Sequence, residues 1–250
     1  MSLPVVLVHG LRTSRTMWRA QAETLERVGR RAVAVDLPGH GSRIDEPFTL
    51  DAAVDTITAA IDEVGGRAFV VGLSLGGYVA IRHAARHPDQ VAGLLAASCS
   101  TRPHRLLLSG WSVGAHGIAR LPDRGAGLNQ FLVDRVLPAE GAADVGAGGF
   151  ALDATSQVLR EMTVATPVAD LARVEAPVWL VNGAFDHFRG EERRFLAACR
   201  DGRLVVVPRA THLVSLVQPA RFGRVMLEAL DEVEQRERAR VAGSAGGSRS

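Results

Sequence analysis

Short runs of consecutive apolar residues alternate along the chain with longer segments in which apolar positions recur every three to four residues. Continuous apolar runs are typical of strands buried on both faces of a parallel sheet, and the longer periodic segments are typical of amphipathic helices. The runs predict strands over 5–8, 31–35, 68–71, 91–97, 178–181 and 204–207. The periodic segments predict helices over 16–28, 50–64, 76–87, 191–200 and 220–233.

This alternation predicts an α/β fold with a mostly parallel, doubly wound sheet of about six strands. The rhythm breaks between residues 101 and 170, where glycines are frequent and helical patches such as 128–136 appear. We therefore expect one core domain built from 1–100 and 171–234, with a helical cap inserted at 101–170. Residues 235–250 become charged and then rich in glycine and serine, which predicts a disordered tail.

The sharpest local signal is the segment that follows the strand at 68–71. Gly72 and Gly76 flank Ser74 at two residues on either side, and a helical pattern begins immediately afterwards. A strand-to-helix turn this tight holds its central residue in strained backbone angles, and side chains at the flanking glycines would collide with the strand and helix. The pattern predicts that Ser74 is a nucleophile exposed at the helix start, rather than a structural turn serine.

A serine hydroxyl needs a base, and the base needs a group that orients it. Asp186 and His212 both come just after predicted strands, which brings them to the same edge of the sheet as Ser74. Asp201 precedes its strand and belongs to the opposite edge, and His187 competes with His212 but adjoins the acid. We therefore predict Asp186 as the acid and His212 as the base.

The turn after the first strand supplies further candidate groups. The backbone N–H of Leu75, at the helix start, is one predicted donor to a developing negative charge. Gly10 permits a close backbone approach, so the N–H of Leu11 is the predicted second donor. His9 is expected to brace this loop through hydrogen bonds rather than to act as a base or ligand.

The amino-acid composition and net charge argue against several classes of function. The net charge is only +2, and the basic residues, all arginine, are scattered, which argues against nucleic-acid binding. Cys99 and Cys199 stand alone, so neither a zinc site nor a disulfide framework is expected. No run is long enough for a membrane span and no signal segment is seen. We expect a cytoplasmic protein that acts on a small molecule without a cofactor or metal.

Together these motifs resemble the α/β-hydrolase superfamily, in the branch of serine esterases with a helical cap. The resemblance covers about residues 5–230 apart from the cap, in the order serine, acid, histidine, and its motifs are His9-Gly10, 36–42, 72–76, 184–186 and 211–213. Two features depart from it. The chain starts at the His-Gly strand without the strand pair that often precedes it, so a more exposed first sheet edge is expected. Thr211 replaces the glycine that often precedes the histidine.

The resemblance implies cleavage of an ester, lactone, thioester or C–C bond through an acyl-enzyme, and the apolar residues of the cap indicate a small, apolar substrate. Serine at the elbow excludes the relatives that use aspartate there, and the absence of lysine excludes lyases that bind cyanide with it. Two alternatives stay open: a biosynthetic enzyme that performs cyclisation, dehydration or thioester release, and a non-catalytic binding protein. Trp111 and Phe131, among the apolar residues of the cap, are the predicted substrate-binding residues.

Overall fold

A computed structural model describes residues 2–103 and 126–246. Its centre is a parallel sheet whose strands, in the order β2-β1-β3-β4-β5-β6, confirm the predicted six-stranded α/β architecture. The strands are β1 (Val5–Val8), β2 (Ala32–Val35), β3 (Ala68–Leu73), β4 (Val91–Ala97), β5 (Val178–Gly183) and β6 (Gly202–Val207).

Helices connect successive strands and cover both faces of the sheet. Those of the described residues are α1 (Arg19–Arg27), α2 (Leu50–Glu63), α3 (Leu75–Arg86), α4 (Ala126–Val136), α5 (Ala139–Ala147), α6 (Thr155–Met162), α7 (Pro167–Leu171), α8 (Glu192–Ala198), α9 (Val214–Val217) and α10 (Pro219–Gly246). Short 3₁₀ turns occupy Arg15–Trp18, Gly41–Arg43, Pro88–Gln90 and His187–Arg189. Helices α4 to α7 fall where the strand–helix rhythm breaks, between β4 and β5.

Two hydrophobic layers sandwich the sheet because successive strand residues point to opposite faces. Val6 and Val8 of β1 pack into the layer that contains α2 and α3. Val5 and Leu7 pack into the opposite layer, with α1 and α10. Strands β1, β3, β4 and β5 are buried along their whole length, which explains why each reads as a continuous apolar run.

The C-terminal ends of the strands lie along one edge of the sheet and bring separate parts of the chain together. Ser74 immediately follows β3 and its amide donates to the Ala97 carbonyl at the end of β4 (2.8 Å). The loops after β5 and β6 continue to pair beyond the strands, with the Phe185 amide donating to the Ala210 carbonyl (2.9 Å). This pairing holds the segment before Asp186 beside the segment before His212.

The C-terminal segment differs from the prediction of a disordered tail at 235–250. Helix α10 continues to Gly246, so residues 235–246 are helical. Arg236 pairs with Glu232 one turn earlier (2.8 Å), and Glu237 pairs with Arg67 of the core (3.2 Å). These charges, which sequence composition associates with disorder, here extend the helix along the protein surface. Among the described residues no helix is long and apolar enough to cross a membrane.

Candidate active site

The turn between β3 and α3 has the geometry that its glycines require. Ser74 has φ of 55° and ψ of −115°, an uncommon conformation for a residue with a side chain. A Cβ atom on Gly76 would collide with the Val8 and His9 carbonyls, and one on Gly72 would collide with the Gly76 backbone. Because the strand and helix approach so closely, the Ser74 side chain is directed away from the sheet at the start of α3.

Ser74, His212 and Asp186 form one continuous hydrogen-bonded chain. The Ser74 Oγ lies 2.9 Å from His212 Nε2, and His212 Nδ1 lies 3.0 Å from Asp186 Oδ1. A carboxylate only accepts hydrogen bonds, so the proton belongs on Nδ1 and Nε2 accepts from the serine hydroxyl. The structure thus brings together the three side chains that the sequence indicated, from the ends of three strands.

Asp186 is held in its ionised form although its side chain is fully buried. Burial acts to raise the pKa of this carboxyl, but hydrogen bonds from His212 and from the Phe188 amide outweigh it and leave the pKa below its ordinary value. The rings of His187 and Phe188 each contact the His212 ring with centroids 4.9 Å apart. The loop after β5 therefore supplies both the acid and the walls that confine the imidazole.

Asp201, the other carboxylate considered in the sequence, lies far from this hydrogen-bonded chain. Asp201 precedes β6 and forms ion pairs with Arg203 (2.8 Å) and Arg236 at the opposite edge of the sheet. His187 contacts the His212 ring, and its metal-binding atoms, with those of His212 and Asp186, lie within 4.8 Å of one another. The Asp186 and His212 atoms already bond each other within the chain that leads to Ser74, which accounts for this grouping without a metal.

The loop after β1 lies beside the serine, as the sequence predicts. A Cβ on Gly10 would lie 3.5 Å from the Ser74 Cβ, and Leu11 and Leu75 line the same cavity as Ser74. His9 braces this loop: its Nδ1 donates to the Gly10 carbonyl (2.8 Å) and its Nε2 accepts from the Leu37 amide (3.0 Å). Burial, reinforced by the neighbouring His40, lowers the pKa of His9 to about 3, so it stays neutral.

A cavity of about 180 Å³ opens in front of Ser74. Its walls are mostly apolar, and four of the lining residues belong to helix α6: Thr155, Val158, Leu159 and Met162. The lining residues are Gly10, Leu11, Arg12, Leu73, Ser74, Leu75, Tyr78, Pro103, Thr155, Val158, Leu159, Met162, Phe188, His212 and Leu213. One side chain and two backbone amides from outside the helix anchor α6, because Arg12 Nε, the Phe48 amide and the Leu50 amide donate to the side chains of Thr155, Gln157 and Glu161 respectively.

Of the two cap residues chosen from the sequence, the structure describes Phe131, and it is not among these walls. Phe131 is on α4 with 64% of its surface exposed, and it does not line the cavity. Trp111 lies outside the described residues. Sequence reasoning missed Val158, Leu159 and Met162, although their spacing of one and three residues marks an apolar helix face. It also missed Arg12, whose only indication in the sequence was its position close to the Gly10 turn.

Comparison with known proteins agrees with this geometry. A profile of the alpha/beta hydrolase family matches residues 5–225. A pimeloyl-(acyl-carrier protein) methyl ester esterase of Neisseria meningitidis serogroup C is 32% identical over 92% of this chain and 94% of that protein. The corresponding esterase of serogroup B is 34% identical over 87% and 89% of the two chains. The structure of a thermophilic esterase from Thermogutta terrifontis superposes with a TM-score of 0.76, at 26% identity, over 93% of this chain and 91% of that chain.

The fold and the site define the class of protein. The chain belongs to the α/β hydrolase family, and it is an enzyme of the serine-hydrolase, esterase-like type.

Proposed function

We propose that this enzyme hydrolyses small esters through an acyl-enzyme, with Ser74 as nucleophile, His212 as general base and Asp186 as the group that orients the imidazole. The hydrogen-bonded chain from Ser74 Oγ through His212 to Asp186, with links of 2.9 and 3.0 Å, is the observation that carries the proposal. The relatives from Neisseria, whose names describe a methyl ester esterase, support the ester as the bond cleaved.

The proposed reaction follows from the position of each group. Ser74 Oγ attacks the ester carbonyl carbon while His212 Nε2 takes its proton, and the carbonyl oxygen becomes an oxyanion. The N–H groups of Leu11 and Leu75 stabilise that charge, and such a donor typically contributes about 3 kcal/mol. His212 then returns the proton to the leaving alcohol. Water repeats the sequence on the acyl-enzyme and releases the acid and free Ser74.

The region between β4 and β5 serves, in this proposal, as a cap over the site. Helix α6 supports it, because Val158, Leu159 and Met162 line the same cavity as Ser74. We assign the cap to residues 101–170 and the core to 1–100 and 171–234. Walls of this kind exclude water and shape the space available to the acyl group. The cavity of about 180 Å³ suits an acyl group of about six to eight non-hydrogen atoms.

A cytoplasmic location is part of the same proposal. Cys99 and Cys199 are both free thiols, and Cys99 is buried. Free thiols without a disulfide partner are the usual state in a reducing compartment.

The test combines covalent labelling with ester hydrolysis. A fluorophosphonate probe is expected to label the native enzyme and not the Ser74→Ala variant, since the probe reacts with an activated serine. Native enzyme is expected to hydrolyse p-nitrophenyl acetate and butyrate and to lose turnover as the acyl chain outgrows the cavity. Labelling that persists in Ser74→Ala would refute the assignment of the nucleophile. A labelled enzyme that hydrolyses no ester would favour the biosynthetic alternative.

A further inference from the structure

Arg12 is the charged side chain in a cavity that is otherwise apolar apart from the catalytic groups. Among the described lining residues, the remaining polar side chains are Tyr78 and Thr155. The Tyr78 hydroxyl is engaged, because it donates to the Thr101 carbonyl (2.5 Å). Arg12 lines this cavity together with Ser74, and its Nε bonds Thr155, another lining residue, so the guanidinium lies beside the space proposed for the acyl group.

Within residues 2–103 and 126–246, no carboxylate pairs with Arg12. Its Nε donates to Thr155 Oγ1 (3.1 Å), which fixes the guanidinium against α6. No described oxygen accepts from Nη1 or Nη2, so the end-on edge of the guanidinium fork is available to a ligand. That edge presents two parallel N–H donors, the geometry that matches a carboxylate.

The electrostatic state of Arg12 differs from that of other arginines in the protein. Carboxylate partners raise the pKa values of Arg19, Arg43, Arg189 and Arg236. Burial lowers the pKa of Arg12, and no neighbouring acid offsets it. The group is still a cation near neutral pH. Arg12 is half-buried, so its cation is partly removed from water without an acidic partner, and a bound anion would offset part of that cost.

The backbone conformation of Arg12 also supports a role in binding. Its φ of 64° lies in the left-handed region, which a long side chain adopts less readily than glycine or asparagine. Conformations of this kind cluster at sites where they position a group for binding or catalysis. The loop therefore holds a cation beside the serine at a conformational cost.

We propose that Arg12 selects substrates whose acyl chain carries a carboxylate, that is, half-esters of short dicarboxylic acids. In the bound state Nη1 and Nη2 hold the free carboxylate while Ser74 attacks the ester carbonyl at the other end of the chain. A glutaryl group, with about eight non-hydrogen atoms, falls within the acyl size proposed above for this cavity. This inference names the substrate class of the site and rests on the proposed esterase function.

The test compares monoethyl glutarate with ethyl glutaramate, which has the same shape and no charge. Native enzyme is expected to prefer the half-ester in kcat/KM by about ten-fold or more, mainly through a lower KM. Arg12→Met is expected to lower kcat/KM for the half-ester by about thirty-fold and for the amide by about three-fold at most. Arg12→Lys retains the charge without the two parallel N–H donors. Its kcat/KM for the half-ester should lie between those of native enzyme and Arg12→Met. Arg15→Met, an exposed arginine three residues on, is the matched control and should not alter the preference.

A second measurement does not depend on turnover of the half-ester. Free glutarate should inhibit hydrolysis of p-nitrophenyl acetate by native enzyme competitively, and should lose this effect in Arg12→Met. Stronger inhibition by butyl phosphate than by glutarate would overturn the choice of a carboxylate over a phosphate group. Equal losses on both esters in Arg12→Met, or no preference in native enzyme, would overturn the inference.

Failure of the inference and failure of the proposed function give different results. If native enzyme is labelled by fluorophosphonate and cleaves p-nitrophenyl acetate but ignores the charge of the acyl chain, only the role of Arg12 is wrong. If native enzyme is not labelled and cleaves none of the esters, the esterase function itself is wrong.

Discussion

Asp186 is connected to Ser74 only through His212, from a position that solvent does not reach. Its side chain is fully buried, and two hydrogen bonds, from His212 Nδ1 (3.0 Å) and from the Phe188 amide (2.8 Å), converge on Oδ1. The first of these bonds selects the imidazole form in which Nε2 can accept the Ser74 proton. In the proposed mechanism the chemistry at the serine therefore depends on a residue that does not line the cavity.

Replacing Asp186 with asparagine tests this dependence. The amide group can donate to Nδ1, which moves the histidine proton to Nε2 and leaves no acceptor for the serine proton. We expect kcat for p-nitrophenyl acetate to fall by about 10³–10⁴-fold while the folded state is retained. Steady-state kinetics and thermal melting measure the two effects separately.

The control for this variant is Asp201, a carboxylate that precedes β6. Asp201→Asn removes the partner of Arg203 and Arg236 at the opposite edge of the sheet and should leave kcat at its native value. Near-native turnover of Asp186→Asn, or an equal loss in both variants, would contradict the assignment of the acid.

At the scale of the element, helix α6 is fixed by hydrogen bonds from outside the helix. The Phe48 amide donates to Gln157 Oε1 (2.8 Å), and the Leu50 amide donates to Glu161 Oε2 (2.9 Å). Leu50 begins α2, whose first N–H groups have no partner inside the helix, so Glu161 serves as an acceptor and as a favourable charge there. The wall of the cavity is thereby joined to the core.

Removing the Glu161 side chain is expected to loosen that connection. Glu161→Ala leaves the Leu50 N–H without its acceptor, and we expect the free energy of unfolding to fall by about 1–2 kcal/mol. Because Val158 and Met162 on α6 line the cavity, KM for butyrate esters should rise more than kcat falls. Urea unfolding and steady-state kinetics provide the two measurements.

Glu161→Gln is the matched variant, since its amide oxygen still accepts from Leu50 without the charge. It should recover most of the stability lost in Glu161→Ala. Equal stability of Glu161→Ala and the native protein would show that the bond from Leu50 to Glu161 does not help to hold α6.

At the scale of the molecule, buried histidines make the fold sensitive to acid. Burial is the main cause that lowers the pKa of His9 to about 3 and of His83 to about 4, and it also lowers the pKa of His40. The unfolded chain takes up protons at these residues below about pH 6.5, whereas the folded chain does not. The unfolded state therefore gains stability relative to the folded state as the pH falls.

We expect the free energy of unfolding to decrease from about pH 6.5 towards pH 4, by up to about 1.4 kcal/mol per pH unit for each such histidine. His83 is suited to the test because it lies on α3, bonded to Gln90 (2.9 Å), away from the cavity. His83→Gln should make the free energy of unfolding depend less steeply on pH, by the contribution of one titrating histidine. Urea unfolding at several pH values measures it.

The slope is the decisive quantity, because a general loss of stability in His83→Gln would shift the curve without changing its steepness. Asp36 and Asp186 do not interfere in this range. Their pKa values are lowered from 3.8, so the stability they contribute is present above that value and is lost only at still lower pH. An unchanged slope in the variant would contradict the prediction.

Much of this architecture was already determined by the order of residues along the chain. Strands buried on both faces leave continuous apolar runs, and the strand boundaries differ from the predicted ones by at most two residues. The glycines around Ser74 mark the elbow because no other residue fits there. Since parallel strands end at one edge, the positions of Asp186 and His212 after their strands predicted that they would meet Ser74.

The tertiary structure decided what these local patterns could not. An apolar helix face shows that a residue packs against something, but not against what, so exposed Phe131 and cavity-lining Met162 look equivalent in sequence. The charged segment after residue 235 is helical as far as Gly246, and its Glu237 pairs with Arg67, which is remote in the chain. Whether Arg12 has a carboxylate partner depends likewise on long-range neighbours. Local interactions repeat along a sequence, whereas contacts between distant residues exist only once the chain has folded.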